Sequence, residues 1–231
     1  MLATEGLDVY YGPSQVLRGV SVRVAEGERV CVLGRNGVGK TTLLRSIIGL
    51  TPPRTGSVSW LGDDITALPP YAIARRGVGY VPQEKSLFPD LTVEDNLFLA
   101  VRDRRRFRDG LASVRAFFPN LDDYLGRKAG TLSGGQQQYA AIARAVITQP
   151  RLLLLDEPTA GIQPSLVHEL GTVVDAVAAE TRCSVLLVEQ NRNLAFRLAE
   201  RVYILDRGEV VAEGLASELE AAGEVRRYLA F

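Results

Sequence analysis

The sequence predicts an α/β fold, with a helical lobe inserted between two stretches of parallel sheet. Three observations predict it. The apolar run Val30-Cys31-Val32-Leu33 passes directly into the glycine-rich stretch Gly34-Arg35-Asn36-Gly37-Val38-Gly39-Lys40-Thr41-Thr42, and Leu43, Leu44, Ile47 and Ile48 then recur at helical spacing. Leu152-Leu153-Leu154-Leu155 and Ser184-Val185-Leu186-Leu187-Val188 are unbroken apolar runs, which suit strands buried on both faces. From about residue 84 to 147 the texture is helical instead.

In chain order, Leu7 to Val24 reads as short strands around the turn Tyr11-Gly12-Pro13-Ser14. Val20, Val22 and Val24 alternate with Ser21 and Arg23, the period of a half-buried strand. Gly56 to Asp63 reads as a hairpin, and Val78-Gly79-Tyr80-Val81 as a strand ended by Pro82. Thr92 is placed to cap a helix, with Asp95 three residues on as an imperfect capping box. The basic run Arg102 to Arg108 is read as a solvated helix end, and Ser113 to Phe118 as an amphipathic helix. A helix is expected from about Gln136 to Ile147. Leu166 to Ala178 and Leu194 to Glu200 are read as helices, Val202 to Ala212 as a hairpin, and Ser217 to Leu229 as a helical tail. One domain results, with residues 1–83 and 148–231 forming the α/β lobe and 84–147 the helical lobe.

Of the 231 residues, 46% are hydrophobic and 23% charged, which supports a core in a soluble protein. Lys+Arg and Asp+Glu are both 27. That balance argues against a general nucleic-acid binder. No apolar run approaches the roughly 18 residues of a membrane span. Met1 to Tyr10 carries Glu5 and Asp8 and lacks the basic start and apolar middle of a signal peptide, so the protein is expected in the cytoplasm. Cys31 and Cys183 sit in apolar runs and read as buried thiols, not as a disulfide or metal site.

The glycine stretch carries the chemistry. Strand, glycine loop and helix in that order form the context of a phosphate-binding loop. Glycines bring backbone N–H groups close to an anion, and the helix adds the positive end of its dipole. Lys40 can reach the β- and γ-phosphates of a nucleoside triphosphate, and Thr41 can offer its hydroxyl to Mg²⁺. Asp156 and Glu157 end a buried strand at the edge where ligands bind in parallel sheets. Asp156 is placed to hold Mg²⁺, and Glu157 to polarise an attacking water. A second glycine element, Leu132-Ser133-Gly134-Gly135-Gln136, precedes a helix. It can serve as a second anion site, completing a nucleotide held by another copy in a head-to-tail pair. The same residues equally fit a helix cap with no ligand.

Taken together, the set resembles the nucleotide-binding subunit of an ABC transporter, along essentially the whole chain. The matching motifs are a Walker A loop at Gly34 to Thr41, a Q-loop at Gln83, a signature at Leu132 to Gln136 and a Walker B strand ending at Asp156-Glu157. The resemblance implies a P-loop NTPase fold of the ABC ATPase type: a mixed, mainly parallel core sheet, an antiparallel β subdomain and an inserted helical lobe. It implies ATP and Mg²⁺ as cofactors. Tyr11 would stack on adenine, Gln83 would contact Mg²⁺, Glu157 would be the catalytic glutamate, and Ser133, Gly134 and Gly135 would complete the partner's ATP site.

Two positions depart from the family pattern. Gln190 stands where a switch histidine is usual, and Gln163 where the D-loop aspartate is usual. A neutral amide still donates a hydrogen bond to a γ-phosphate but carries no positive charge. The only histidine, His168, lies mid-helix. Val188-Glu189-Gln190-Asn191 resembles the importers of branched-chain amino acids and urea. Leu33 to Lys40, Leu132 to Gln138 and Gly161 to Ser165 look most like the urea importer's smaller ATPase subunit, with the branched-chain amino acid subunit as the alternative.

That branch implies a heterodimer with a second ATPase, two membrane permease subunits and an extracytoplasmic solute-binding protein. The chain would lie peripherally on the cytoplasmic face of the inner membrane. A soluble ABC ATPase acting on ribosomes or DNA would usually carry two cassettes or long inserted arms. A P-loop kinase or GTPase leaves Gln83 and Leu132 to Gln136 unexplained.

Overall fold

The computed structural model describes residues 1–83 and 87–222, the side chains at 164, 165 and 222 excepted. Strands β1 (Leu2–Tyr11) and β2 (Ser14–Val24) form a hairpin around Gly12 and Pro13, and β3 is Arg29–Leu33. Helix α1 (Lys40–Ile47) follows the glycine stretch; then come β4 (Thr55–Trp60), β5 (Asp63–Asp64), α2 (Pro70–Arg75) and β6 (Val78–Val81). The helical lobe carries α3 (Val93–Val101), α4 (Arg104–Phe117), the short α5 (Asp122–Leu125) and α6 (Gly134–Val146). The chain returns to the sheet with β7 (Leu152–Asp156), α7 (Pro164–Thr181), β8 (Ser184–Glu189), α8 (Arg192–Leu198), β9 (Arg201–Asp206), β10 (Glu209–Leu215) and α9 (Ala216–Ala222).

Two sheets result. The first is four-stranded and antiparallel, in the order β2-β1-β4-β5. The second is six-stranded, in the order β10-β9-β3-β8-β7-β6, and is parallel except for β10. The four leucines of β7 show why parallel strands tolerate no polar alternation. Leu153 and Leu155 face the core shared with the helical lobe, while Leu152 and Leu154 face the core shared with α1 and the antiparallel sheet. In the parallel register Leu33 lies opposite Glu189, Asp156 opposite Val188, and Val81 opposite Leu155. The carboxyl ends of β3, β6, β7 and β8 therefore share one edge.

Several sequence expectations need correction. The basic run Arg102 to Arg108 is not one helix end. Arg102 ends α3 in a left-handed conformation (φ 53), and Asp103 caps α4 by accepting from the Arg106 N–H. Arginines in a first turn oppose the helix dipole, yet α4 forms because Phe107, Leu111, Val114 and Phe117 are buried on one face. That helix starts nine residues before Ser113. The Thr92–Asp95 box, expected to be imperfect, is complete, with both reciprocal bonds made. Helix α2 was not expected; Pro70 at its first position presets the backbone there. The helical tail is described to Ala222, and its expected continuation to Leu229 lies outside the described residues. Cys31 and Cys183 are free and buried, as expected.

Candidate nucleotide site

The loop between β3 and α1 opens at the shared edge. Its first amide, Gly34 N–H, donates to the Glu189 carbonyl at 3.1 Å. Gly39 has φ 111, and a Cβ there would lie 2.5 Å from Leu17 Cδ2, so only glycine lets the loop pass beneath β2. Asn36 and Gly37 are exposed, whereas Val38 is in the core and can offer a ligand only its backbone.

Lys40 is 3% exposed. Its Nζ donates to the carbonyls of Gly34 (2.9 Å) and Arg35 (2.8 Å) and lies 2.8 Å from Glu157 Oε1. The other Glu157 oxygen accepts from Gln83 Nε2 at 3.0 Å. Glu157 has φ 43, a conformation costing a non-glycine residue about 1–3 kcal/mol, and its N–H donates to the Val188 carbonyl at 2.9 Å. The backbone thus turns sharply after β7 and aims the carboxylate at Lys40.

Asp156 is fully buried. Its Oδ1 accepts from the Thr41 hydroxyl (2.9 Å) and its Oδ2 from the Tyr80 hydroxyl (3.1 Å). Burial holds its carboxyl above the ordinary range, with the Thr41 and Tyr80 bonds opposing and the neighbouring Glu157 charge adding to the rise. Burial and the Asp156 carboxylate likewise push the Tyr80 phenol up. Val16, Asn36, Gly37, Gly39, Lys40, Thr41, Thr42, Gln83 and Glu157 line an open cleft of about 270 Å³.

The donor set at this edge fits Mg²⁺. A hydroxyl, a carboxamide and one carboxylate are hard oxygen donors, and Mg²⁺ characteristically takes one or two carboxylates plus substrate phosphates and water. Because the Thr41 proton is directed at Asp156, the hydroxyl's lone pairs remain for a cation.

The expected residues do not all gather here. Tyr11 is 45% exposed, with its hydroxyl in reach of Thr51, Thr42 and Arg45, so its ring lies alongside α1 next to the loop. Ser133, Gly134, Gly135 and Gln136 do not line the cleft. Ser133 Oγ accepts from the Gln136 N–H (3.3 Å) and Gln136 Oε1 from the Ser133 N–H (3.1 Å), a full capping box. A Cβ on Gly135 would run into the side-chain ends of Leu166 and Ile162, so this glycine lets α6 pack closely there. Gly134 meets nothing and is open to approach. Gln190 is exposed just beyond β8, at the same edge as Lys40. Gln163 precedes α7 as its cap residue without a side-chain cap bond.

Two polar residues given no role from the sequence also belong to this edge: Tyr80, which donates to Asp156, and Glu189. Glu189, 2% exposed, ends β8 with both carboxylate oxygens engaged. The signal was present as a lone acid closing an apolar strand.

The ABC transporter family model matches residues 17–160, which include the phosphate loop, Gln83, the Ser133 element and Asp156-Glu157. The chain belongs to this family. It is 37% identical over 228 residues to the high-affinity branched-chain amino acid transport ATP-binding protein BraG of Pseudomonas aeruginosa, covering 98% of this chain and 97% of that one. It is 37% identical over 221 residues to the probable branched-chain amino acid transport ATP-binding protein LivF of Archaeoglobus fulgidus, covering 95% and 94%. It is 35% identical over 233 residues to the lipopolysaccharide export ATP-binding protein LptB of Escherichia coli, covering 98% and 95%. Among solved structures, the ADP conformation of the ATP-binding cassette MJ1267 superposes with a TM-score of 0.89 at 27% identity, covering 99% and 96%. A dimeric post-hydrolysis state of the cassette MJ0796 bound to ADP and phosphate gives 0.83 at 27% identity, covering 94% and 99%.

The chain is therefore an ATP-binding, ATP-hydrolysing ABC transporter subunit, and its fold is that of the P-loop ABC ATPase. No helix among the described residues is long and apolar enough to cross a membrane.

Proposed function

We propose that this chain energises an importer of branched-chain amino acids. The observation that carries the reading is likeness over nearly the full length to two ATPases named for that transport. This favours the branched-chain alternative over urea. The phosphate loop, signature and D-loop face nucleotide and partner ATPase, so their resemblance to the urea subunit has no solute contact behind it.

In this reading Lys40 exchanges Glu157 and the loop carbonyls for β- and γ-phosphate oxygens, and the loop amides bind the remaining oxygens. Tyr11 covers the adenine. Thr41, Asp156 and Gln83 would hold Mg²⁺, and the ion would supply positive charge beside the phosphates. Glu157, released from Lys40, accepts a proton from water as the water oxygen attacks the γ-phosphorus and the bond to the β-bridging oxygen breaks, giving ADP and phosphate. Gln190 donates a neutral hydrogen bond to the γ-phosphate. Ser133, Gly134, Gly135 and Gln136, away from their own cleft, complete the ATP site of a second, related ATPase in a head-to-tail heterodimer. Two permease subunits and an extracytoplasmic binding protein make up the rest of the complex, with this chain on the cytoplasmic face of the membrane and no nucleic acid among its partners.

The test is purification of the tagged chain from its native membrane, with mass spectrometry of what accompanies it. Permeases, a second ATPase and a binding protein that takes leucine but not urea are expected. A binding protein selective for urea would restore the urea reading. Recovery with an export complex, or from the soluble fraction with ribosomes, would overturn import.

A further inference from the structure

Three segments of the nucleotide site meet at Glu189. Its backbone carbonyl accepts from Gly34 N–H, the first amide of the phosphate loop. One carboxylate oxygen, Oε1, accepts from the N–H of Thr159 (3.2 Å) and from its hydroxyl (2.7 Å). The other, Oε2, accepts from the N–H groups of Gln190 and Asn191, both at 3.0 Å. Thr159 lies two residues after Glu157, on the segment leading through Gln163 into α7. Gln190 and Asn191 begin the segment that leads into α8, which Asn191 caps with its own side chain. One buried side chain therefore holds the exits of β7 and β8 together.

The chemistry of the acceptor is specific. Four donors converge, and three of them are backbone N–H groups that cannot reverse their role. Only an ionised carboxylate offers acceptors on both sides. A glutamine of the same shape would turn an NH₂ group toward one pair of donors, leaving at least one buried N–H unsatisfied. Aspartate is one methylene too short to span both segments.

We propose that Glu189 is a positioning residue for hydrolysis. It fixes the strained turn bearing Glu157, through Thr159, against the turn bearing Gln190, so that a shift of either moves the other. It rests on the reading of Glu157 and Gln190 as the groups acting at the γ-phosphate. Glu189 is buried, has both carboxylate oxygens occupied by protein donors and does not line the cleft, so its effect falls on turnover and not on nucleotide capture, which Lys40 and the loop amides carry. A residue serving stability alone would not divide the two.

The test compares Glu189→Gln, Thr159→Val, Thr159→Ser and the double variant Glu189→Gln/Thr159→Val in the purified membrane complex. Affinity for a non-hydrolysable ATP analogue and kcat are measured for each. Affinity is expected to stay within about threefold, while kcat falls about ten- to hundredfold in Glu189→Gln and Thr159→Val, the scale of a small misplacement of reacting groups. Thr159→Ser restores the hydroxyl and should keep kcat near wild type. The double variant should be no slower than Glu189→Gln, because both changes cut the same link. Wild-type kcat in Thr159→Val, an affinity loss as large as the kcat loss, or strictly additive losses in the double variant would each overturn the proposal. If Glu189→Gln does not fold, the Thr159 pair decides. The underlying catalytic reading fails separately, if Glu157→Gln retains turnover; the clamp fails if Glu157→Gln is inactive while Thr159→Val is fully active.

Discussion

Glu157→Gln should do two things at once: stop hydrolysis and tighten ATP binding. The second follows from the ion pair. Lys40 and Glu157 are 2.8 Å apart, with side chains 3% and 11% exposed, and a γ-phosphate must take Lys40 away from that carboxylate. Two unit charges about 4 Å apart attract by about 4 kcal/mol at an effective dielectric of about 20. Much of this is offset because the pair also pays desolvation, and a glutamine oxygen would still accept from Lys40. Repulsion between the carboxylate and the incoming phosphate also vanishes. We take the net gain as about 1–2 kcal/mol, or about five- to thirtyfold in affinity. Calorimetric titration of a non-hydrolysable ATP analogue into both proteins reads the affinity without turnover, and phosphate release reads the chemistry. Loss of a general base should lower kcat by about 10²- to 10⁴-fold. Equal or weaker affinity in the variant would refute competition for Lys40. Turnover at the wild-type rate would refute Glu157 as the base.

Lys40→Ala removes a buried ammonium from the phosphate loop and should weaken ATP by about 2–5 kcal/mol, at least thirtyfold; near-native affinity in the same titration would contradict its role. Asp156→Asn should abolish Mg²⁺-dependent hydrolysis and change the pH dependence of folding. Burial raises the Asp156 carboxyl above 3.8, so the folded state holds this proton more tightly than the unfolded, and stability contributed by Asp156 falls as pH rises from 3.8 through the raised value. The Tm of Asp156→Asn minus that of wild type should therefore climb across that window and stay high at neutral pH; a flat difference would contradict the burial argument. Gly135→Ala would drive a methyl against Leu166 Cδ1 and Ile162 Cγ2, which must shift to admit it. Thermal unfolding should show a loss of about 1–3 kcal/mol with the chain alone, before any partner is added.

What the sequence disclosed and what it hid follow from the range of the interactions. The phosphate loop and the β7 and β8 strands were legible because their signals are local: glycines at fixed offsets beside a helical apolar period, and apolar runs long enough to need cover on both faces. The parallel register then placed Asp156, Glu157 and Gln190 at the loop's edge without further information. The start of α4 was hidden because its arginines oppose helix formation locally, and only burial of Phe107 and Leu111 against the rest of the lobe overrides them. Local reading left Ser133-Gly134-Gly135 open between an anion site and a plain helix cap, and it could not show that Gly135 packs closely against Leu166 and Ile162. Glu189 was hidden for a different reason. Two of its donors are the N–H groups of the next two residues, but the Thr159 pair comes from 30 residues away and cannot be seen until β7 and β8 are side by side. A lone acid at the end of an otherwise apolar strand can pay for its burial only with donors converging from several segments. Such a residue therefore marks the place where separate parts of a site are tied together.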